Sequence, residues 1–270
     1  MMTLQSKITS PHILSIIGMH RSGTSLAAQY LHECGIFMGH DLLGKNWSNP
    51  AGHFEDKEFI DLHIEILRAH HVNYAVSTPI EWQIDDSIID RAKAMIEARK
   101  AFSQWGWKDP RTTLFLSFWK KLIPGCHFVV VYRHYLPVVH SLISRDILLD
   151  RSRTSRWQRI LNPRLVKKPT IEQFNKYLRT WIFYNHEIIT HLLKDPTVKY
   201  NLINYEQLVS GDLSNLNDLQ NHGFNLSPPH NFNKYPKRAP FIKNIPTTDD
   251  KVLLAEADAI DRYFSDISSI

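Results

Sequence analysis

Ile13-Leu14-Ser15-Ile16-Ile17-Gly18-Met19-His20-Arg21-Ser22-Gly23-Thr24-Ser25 is the stretch that decides the fold. Its first five residues form a short apolar run rich in β-branched side chains, the signature of a buried strand. Gly18 and Gly23 then stand at the spacing of a phosphate-cradling loop, and an amphipathic pattern over Thr24–Glu33 opens directly behind them, with Gly35 as its stop. Glycines belong at such a turn because several backbone N–H groups must converge on one anion. The helix that follows adds the positive end of its dipole.

Working outward, short apolar runs alternate with amphipathic stretches. Ile13–Ile17, Trp105–Lys108, His127–Tyr132 and Tyr200–Asn204 read as strands. Thr24–Glu33, Phe54–Ala69, Ser87–Phe102, Thr112–Leu122 and Leu136–Ser144 read as helices. The longest helix is predicted over Ile171 to about Lys194, with Thr170 and Gln173 as a capping box and Asp195-Pro196 as its stop. Asp249–Phe264 reads as a terminal helix, and Leu226–Pro246, with its five prolines, as a long loop. The pattern predicts an α/β chain: a three-layer P-loop fold with a central, mostly parallel sheet flanked by helices. With no internal repeat, residues 1–270 are expected to form a single domain carrying a basic insertion near 145–169.

Composition narrows the class. Hydrophobic residues at 43% and charged residues at 22% exclude a disordered chain. No run approaches the roughly 20 apolar residues of a spanning helix, and Met1–Lys7 lacks the apolar core of a signal peptide, so a cytoplasmic protein without a membrane span is expected. Cys34 and Cys126 stand in no metal-ligand spacing, and the 15 histidines include no HExxH pattern, so no metal is expected. The net charge of +5 is local: Arg145, Arg151, Arg153, Arg156, Arg159, Arg164, Lys167 and Lys168 face only Asp146 and Asp150. The remainder is close to neutral, which argues against a nucleic-acid partner, and Trp157 is the only aromatic residue within the basic block.

The loop also departs from the nucleoside triphosphatase pattern. Thr24 stands where the lysine for the β- and γ-phosphates belongs, while a cation, Arg21, lies inside the loop. No obvious Walker B carboxylate ends a later strand, since His127–Tyr132 runs into Arg133. The loop reads as built for a single 5′-phosphosulfate without a metal.

With these features the chain resembles the sulfotransferases that use 3′-phosphoadenosine 5′-phosphosulfate (PAPS), in particular the tyrosylprotein and bacterial branch with an RSGTS or RSGTT loop. Three further segments carry the resemblance in order: Trp107-Lys108-Asp109-Pro110-Arg111, Val131-Tyr132-Arg133 with Ser141 and Arg145 behind it, and Asn204-Tyr205-Glu206-Gln207-Leu208-Val209. The resemblance implies that Arg21, Ser22, Gly23, Thr24 and Ser25 bind the 5′-phosphosulfate, that Arg133 and Ser141 bind the 3′-phosphate, and that Tyr205 contacts the nucleotide. Arg145, one helical turn beyond Ser141, joins that group. Lys108 would neutralise charge on the bridging oxygen as the S–O bond breaks, with Arg21 beside it. Glu55 is the candidate base for the acceptor proton, with His53 and Asp56 as competitors.

The implied reaction passes a sulfuryl group from PAPS to a hydroxyl or amine of a small-molecule, lipid, peptide or glycan acceptor, anionic ones included, and releases PAP. Lys234, Tyr235, Lys237 and Arg238 could close over the nucleotide, and the basic block could form an acceptor lid. The alternatives are another P-loop transferase such as a small-molecule kinase, or a non-catalytic nucleotide or nucleic-acid binder.

Overall fold

A computed structural model describes residues 11–44, 52–153, 157, 162, 167–229 and 242–268. Four parallel strands form one sheet in the order β2-β1-β3-β4: β1 His12–Ile17, β2 Gln104–Lys108, β3 His127–Tyr132 and β4 Lys199–Asn204. The registers run Ile16 to Lys108, Ile17 to Val130 and Tyr132 to Asn204. Because all four strands point the same way, all four carboxyl ends lie on one edge. The strands beside β1 come later in the chain on either side of it, so the crevice between its neighbours is a topological switch point, where ligands of open α/β sheets sit.

The sheet is covered on both faces, as a parallel sheet must be. Side chains of β3 alternate between two cores: Phe128, Val130 and Tyr132 face one, Val129 and Val131 the other. The first core holds α2 (Lys57–Ala69), α3 (Asp86–Ala98), α4 (Leu116–Leu122), α5 (Tyr135–Arg153), α6 (Ile171–Ile188) and the C-terminal α8 (Lys251–Ser268). Its centre is aromatic, with Phe59 stacked on Trp107 at 4.7 Å and Trp119 5.0 Å from Trp107. The second core packs α1 (Thr24–Glu33) through Ala27, Ala28 and Leu31 and receives Leu208 of the short α7 (Tyr205–Ser210).

Several boundaries differ from the sequence reading. Helix α2 starts at Lys57 rather than Phe54, because Phe54 is left-handed (φ 54°) and Asp56 caps the helix by accepting from the Glu58 amide at 3.1 Å. The stretch Thr112–Leu122 opens earlier, as a 3₁₀ turn over Pro110–Phe115 capped by Asp109, and becomes α-helical only at Leu116. Helix α3 ends at Ala98, four residues short of Phe102. Helix α5 runs nine residues past Ser144, so Arg145, Arg151 and Arg153 of the basic block belong to its last turns. Thr170 and Gln173 form the expected reciprocal cap of α6, whose end widens into a π turn at Ile189–Leu193. Among the described residues no helix is long and apolar enough to cross a membrane.

Candidate active site

The loop after β1 is tied to both neighbouring strand ends. Gly18 (φ 138°) lies so close to β3 that a Cβ would sit 2.2 Å from the Val131 carbonyl oxygen, and its amide donates to Thr113 Oγ1 at 3.3 Å. Arg21 takes the left-handed conformation (φ 71°). Gly23 (φ 101°) stands at the N-cap of α1, where no side chain caps the first turn, and a Cβ there would meet the Tyr205 ring at 2.5 Å. A helix start without a side-chain cap, behind a loop whose two glycines leave no room for a Cβ, is the kind of backbone on which an anion can rest.

Two arginines converge on it. Arg133, just past β3, donates from Nη1 to the Arg21 carbonyl at 3.2 Å, and its guanidinium lies 3.8 Å from the centre of the Tyr205 ring. Arg21 Nε donates to Ser141 Oγ at 2.8 Å, joining the loop to α5. Burial first, then the proximity of Arg145 and Arg133, lowers the Arg21 pKa below the usual arginine value. Arg21 and Arg133 concentrate positive charge at the mouth of the loop. The structure thus brings Arg21, Ser141, Arg133 and Tyr205 into one group. Arg145 borders it and turns its guanidinium to the Tyr74 hydroxyl and to Asp146 Oδ1 at 3.0 Å.

On the other side of β1, Lys108 ends β2 fully buried. Its ammonium donates to Glu55 Oε1 at 2.5 Å and to Ser25 Oγ at 3.1 Å, bridging the carboxylate and the loop. Burial lowers its pKa below the usual lysine value, against the opposing pull of Glu55. Glu55 Oε2 accepts from Arg111 Nη2 at 3.3 Å. Of the competing bases, Asp56 is occupied as the α2 cap and by Arg99 Nη2 at 2.6 Å, so its oxygens are committed to structure. His53 Nδ1 lies 4.0 Å from Glu55, and burial holds its imidazole below the ordinary histidine pKa.

Residues that the sequence did not single out complete the site. Arg111 lies within the quoted Trp-Lys-Asp-Pro-Arg segment, and an aspartate–proline turn with an arginine two residues on was the available signal. His20 sits with its ring edge on Tyr74 at 4.6 Å, and burial, then Arg111 and Arg145, drives its pKa well below the ordinary value. Tyr74, Arg145, Asp146, Lys176 and Tyr177 line a cleft of about 470 Å³ beside the loop. Of the remaining sequence candidates, Lys234, Tyr235, Lys237 and Arg238 lie outside the described residues, as do Arg156, Arg159 and Arg164 of the basic block. Among the described residues no group of three His, Cys, Asp or Glu side chains is placed to hold a metal ion.

This geometry can be set beside known proteins. The sulfotransferase domain of the Synechococcus PCC 7002 olefin synthase superimposes with a TM-score of 0.51 at 14% identity, over 95% of this chain and 96% of that one. A sulfotransferase from Alicyclobacillus acidocaldarius aligns with a TM-score of 0.46 at 10% identity, over 95% of this chain and 93% of that one. Among curated protein sequences none matches the chain. The model of the sulfotransferase family does match, over residues 13–222, from the opening strand through every strand end that builds the crevice. The chain therefore belongs to the sulfotransferase family.

Proposed function

We propose that this chain moves a sulfuryl group from PAPS to a hydroxyl or amine of a small-molecule, lipid, peptide or glycan acceptor and releases PAP. The hydrogen bond from Arg133 to the Arg21 carbonyl carries this reading, because it joins two arginines from different strand ends, each a candidate for one anionic group, in one crevice. A nucleotide with a charged group at both its 3′ and 5′ positions needs two such positions side by side, and ATP lacks the 3′ group.

In this reading the residues at the Gly18–Ser25 loop, Arg21, Ser22, Gly23, Thr24 and Ser25, hold the 5′-phosphosulfate on backbone amides and the open end of α1. Arg133 and Ser141 take the 3′-phosphate, Tyr205 supports Arg133 from below, and Arg145 adds to the field from the border. The acceptor enters from the cleft beside Tyr74 and attacks sulfur in line. As the new bond to sulfur forms, the bond from sulfur to the bridging oxygen breaks and its electron pair leaves on PAP. The acceptor proton passes to Glu55. Lys108, held between Glu55 and Ser25, neutralises charge on the departing oxygen in this reading. Charge is balanced throughout by side chains, and most of the rate enhancement comes from positioning.

Titration calorimetry with PAP and with ATP, each with and without magnesium, tests the donor. PAP is expected to bind at about micromolar Kd or tighter without metal. Tighter binding of magnesium ATP would make the chain a kinase-like transferase instead. Incubation with PAPS and an acceptor panel, followed by mass spectrometry for the added sulfo group, then identifies the acceptor. Glu55→Gln is expected to abolish turnover while PAP still binds, and turnover at the wild-type rate would remove Glu55 as the base.

A further inference from the structure

Behind the Glu55 carboxylate a chain of hydrogen bonds runs into the aromatic core. Trp119 Nε1 donates to His63 Nε2 at 2.8 Å, and His63 Nδ1 lies 2.8 Å from Asp109 Oδ2. Asp109 Oδ1 accepts from the Arg111 amide at 2.9 Å and from Arg111 Nε at 2.8 Å, and Oδ2 lies 3.0 Å from the same Nε. Arg111 Nη2 then reaches Glu55 Oε2. His63, Asp109 and Trp119 are fully buried, so their bonds to one another are shielded from bulk solvent.

The donor inventory fixes the proton positions. An indole N–H only donates, so His63 Nε2 must accept, and the imidazole proton stands on Nδ1 and points at Asp109. Burial favours the same neutral state and lowers the His63 pKa, against the pull of Asp109. On Asp109 burial acts the other way, yet Arg111 and then His63 outweigh it and hold the carboxyl well below the usual range. With His63 on one oxygen and Arg111 spanning both, Asp109 has no freedom to rotate, and the Arg111 fork is fixed with it.

We propose that His63 is a positioning residue for the transfer reaction: through Asp109 it locks Arg111 in the orientation that holds the Glu55 carboxylate opposite Lys108. A histidine serving the core alone would not need to end on an aspartate whose other partner reaches the reacting carboxylate. This inference rests on Glu55 as the acceptor base, as proposed above.

The test uses three substitutions in the full chain. His63→Leu removes both bonds, His63→Asn keeps a donor towards Asp109, and Trp119→Phe removes the indole donor together with part of a buried ring. His63→Leu is expected to lower kcat by on the order of tenfold to a hundredfold, by analogy with the loss of a hydrogen-bond partner that orients a metal ligand. The Kd for PAP and the KM for PAPS should stay within about twofold. His63→Asn should restore most of the loss, and Trp119→Phe should fall between.

A folded His63→Leu protein with wild-type kcat overturns the inference, and so does a parallel loss of kcat and PAP affinity. If His63→Leu fails to fold, imidazole nitrogen NMR on the wild-type chain decides. A neutral Nδ1–H ring is expected, and an Nε2–H ring or an imidazolium overturns the inference. Glu55→Gln run in parallel separates the two claims: full His63→Leu activity beside a silent Glu55→Gln defeats the positioning role alone, whereas an active Glu55→Gln defeats the base assignment and the positioning role with it.

Discussion

The Arg133 guanidinium lies 3.8 Å above the Tyr205 ring, so the end of β3 and the start of α7 meet over the Gly18–Ser25 loop. The stack holds the guanidinium face and leaves its edge for oxygen acceptors, one of which is the Arg21 carbonyl. Arg133→Ala is therefore expected to weaken PAP binding by about tenfold to a hundredfold while sparing adenosine 5′-phosphosulfate, which lacks the 3′-phosphate. Equal losses for the two ligands in calorimetry would remove the 3′-phosphate role. Tyr205→Ala should weaken PAP binding by roughly threefold to tenfold and Tyr205→Phe hardly at all, because the ring rather than the hydroxyl supports the cation.

The glycines of the loop differ in what a methyl group would strike. At Gly18 an alanine Cβ meets the β3 backbone at 2.2 Å, and at Gly23 it meets the Tyr205 ring at 2.5 Å, both with positive φ. Gly44 has open space around it. Thermal unfolding should show Gly18→Ala as the most damaging, by about 2 kcal/mol or more, and Gly23→Ala as milder but defective in PAP binding. Gly44→Ala should be close to neutral. A Gly18→Ala protein as stable as Gly44→Ala would contradict the close packing of loop on strand.

Lys108 and Glu55 form a buried pair, and removing one partner leaves an uncompensated charge. Lys108→Met is expected to cost on the order of 3 kcal/mol, part of which Glu55 recovers by keeping Arg111. In urea unfolding the double substitution Lys108→Met with Glu55→Gln should cost less than the sum of the single ones by at least about 1 kcal/mol. Additive costs would mean that the pair is not coupled in solution.

His127 supplies a pH signature. Burial pulls its imidazole down to about 4, against the opposing effect of its Asn201 hydrogen bond. Below the ordinary histidine pKa of about 6.5 the unfolded chain takes up a proton that the folded chain refuses. Stability from this group is thus fully present above about pH 6.5 and is lost as pH falls towards 4, by up to about 3 kcal/mol. His20 and His63, also lowered, act with the same sign. Urea midpoints followed from pH 8 to pH 4 should fall across that window, and His127→Gln should flatten part of the slope.

The strand–loop–helix unit was legible in the sequence because its determinants are local. Ile13–Ile17 can only be a buried strand, Gly18 and Gly23 announce backbone that side chains would obstruct, and Thr24–Glu33 forms the predicted helix to the residue. All four strands were readable for the same reason, and parallel pairing followed from their alternation with helices. The start of α2 was not, since Phe54 adopts a left-handed conformation that no pattern announces.

What only the tertiary structure decided was which of the singled-out side chains meet. Asp56 and Glu55 are neighbours in sequence, yet one is spent on Arg99 and the other faces Lys108 and Arg111. His63 lies 46 residues from Asp109, and nothing in its surroundings along the chain marks it. Periodicity and turn chemistry are properties of consecutive residues, whereas a hydrogen bond between buried groups depends on where two distant segments pack, and that is set by the core between them.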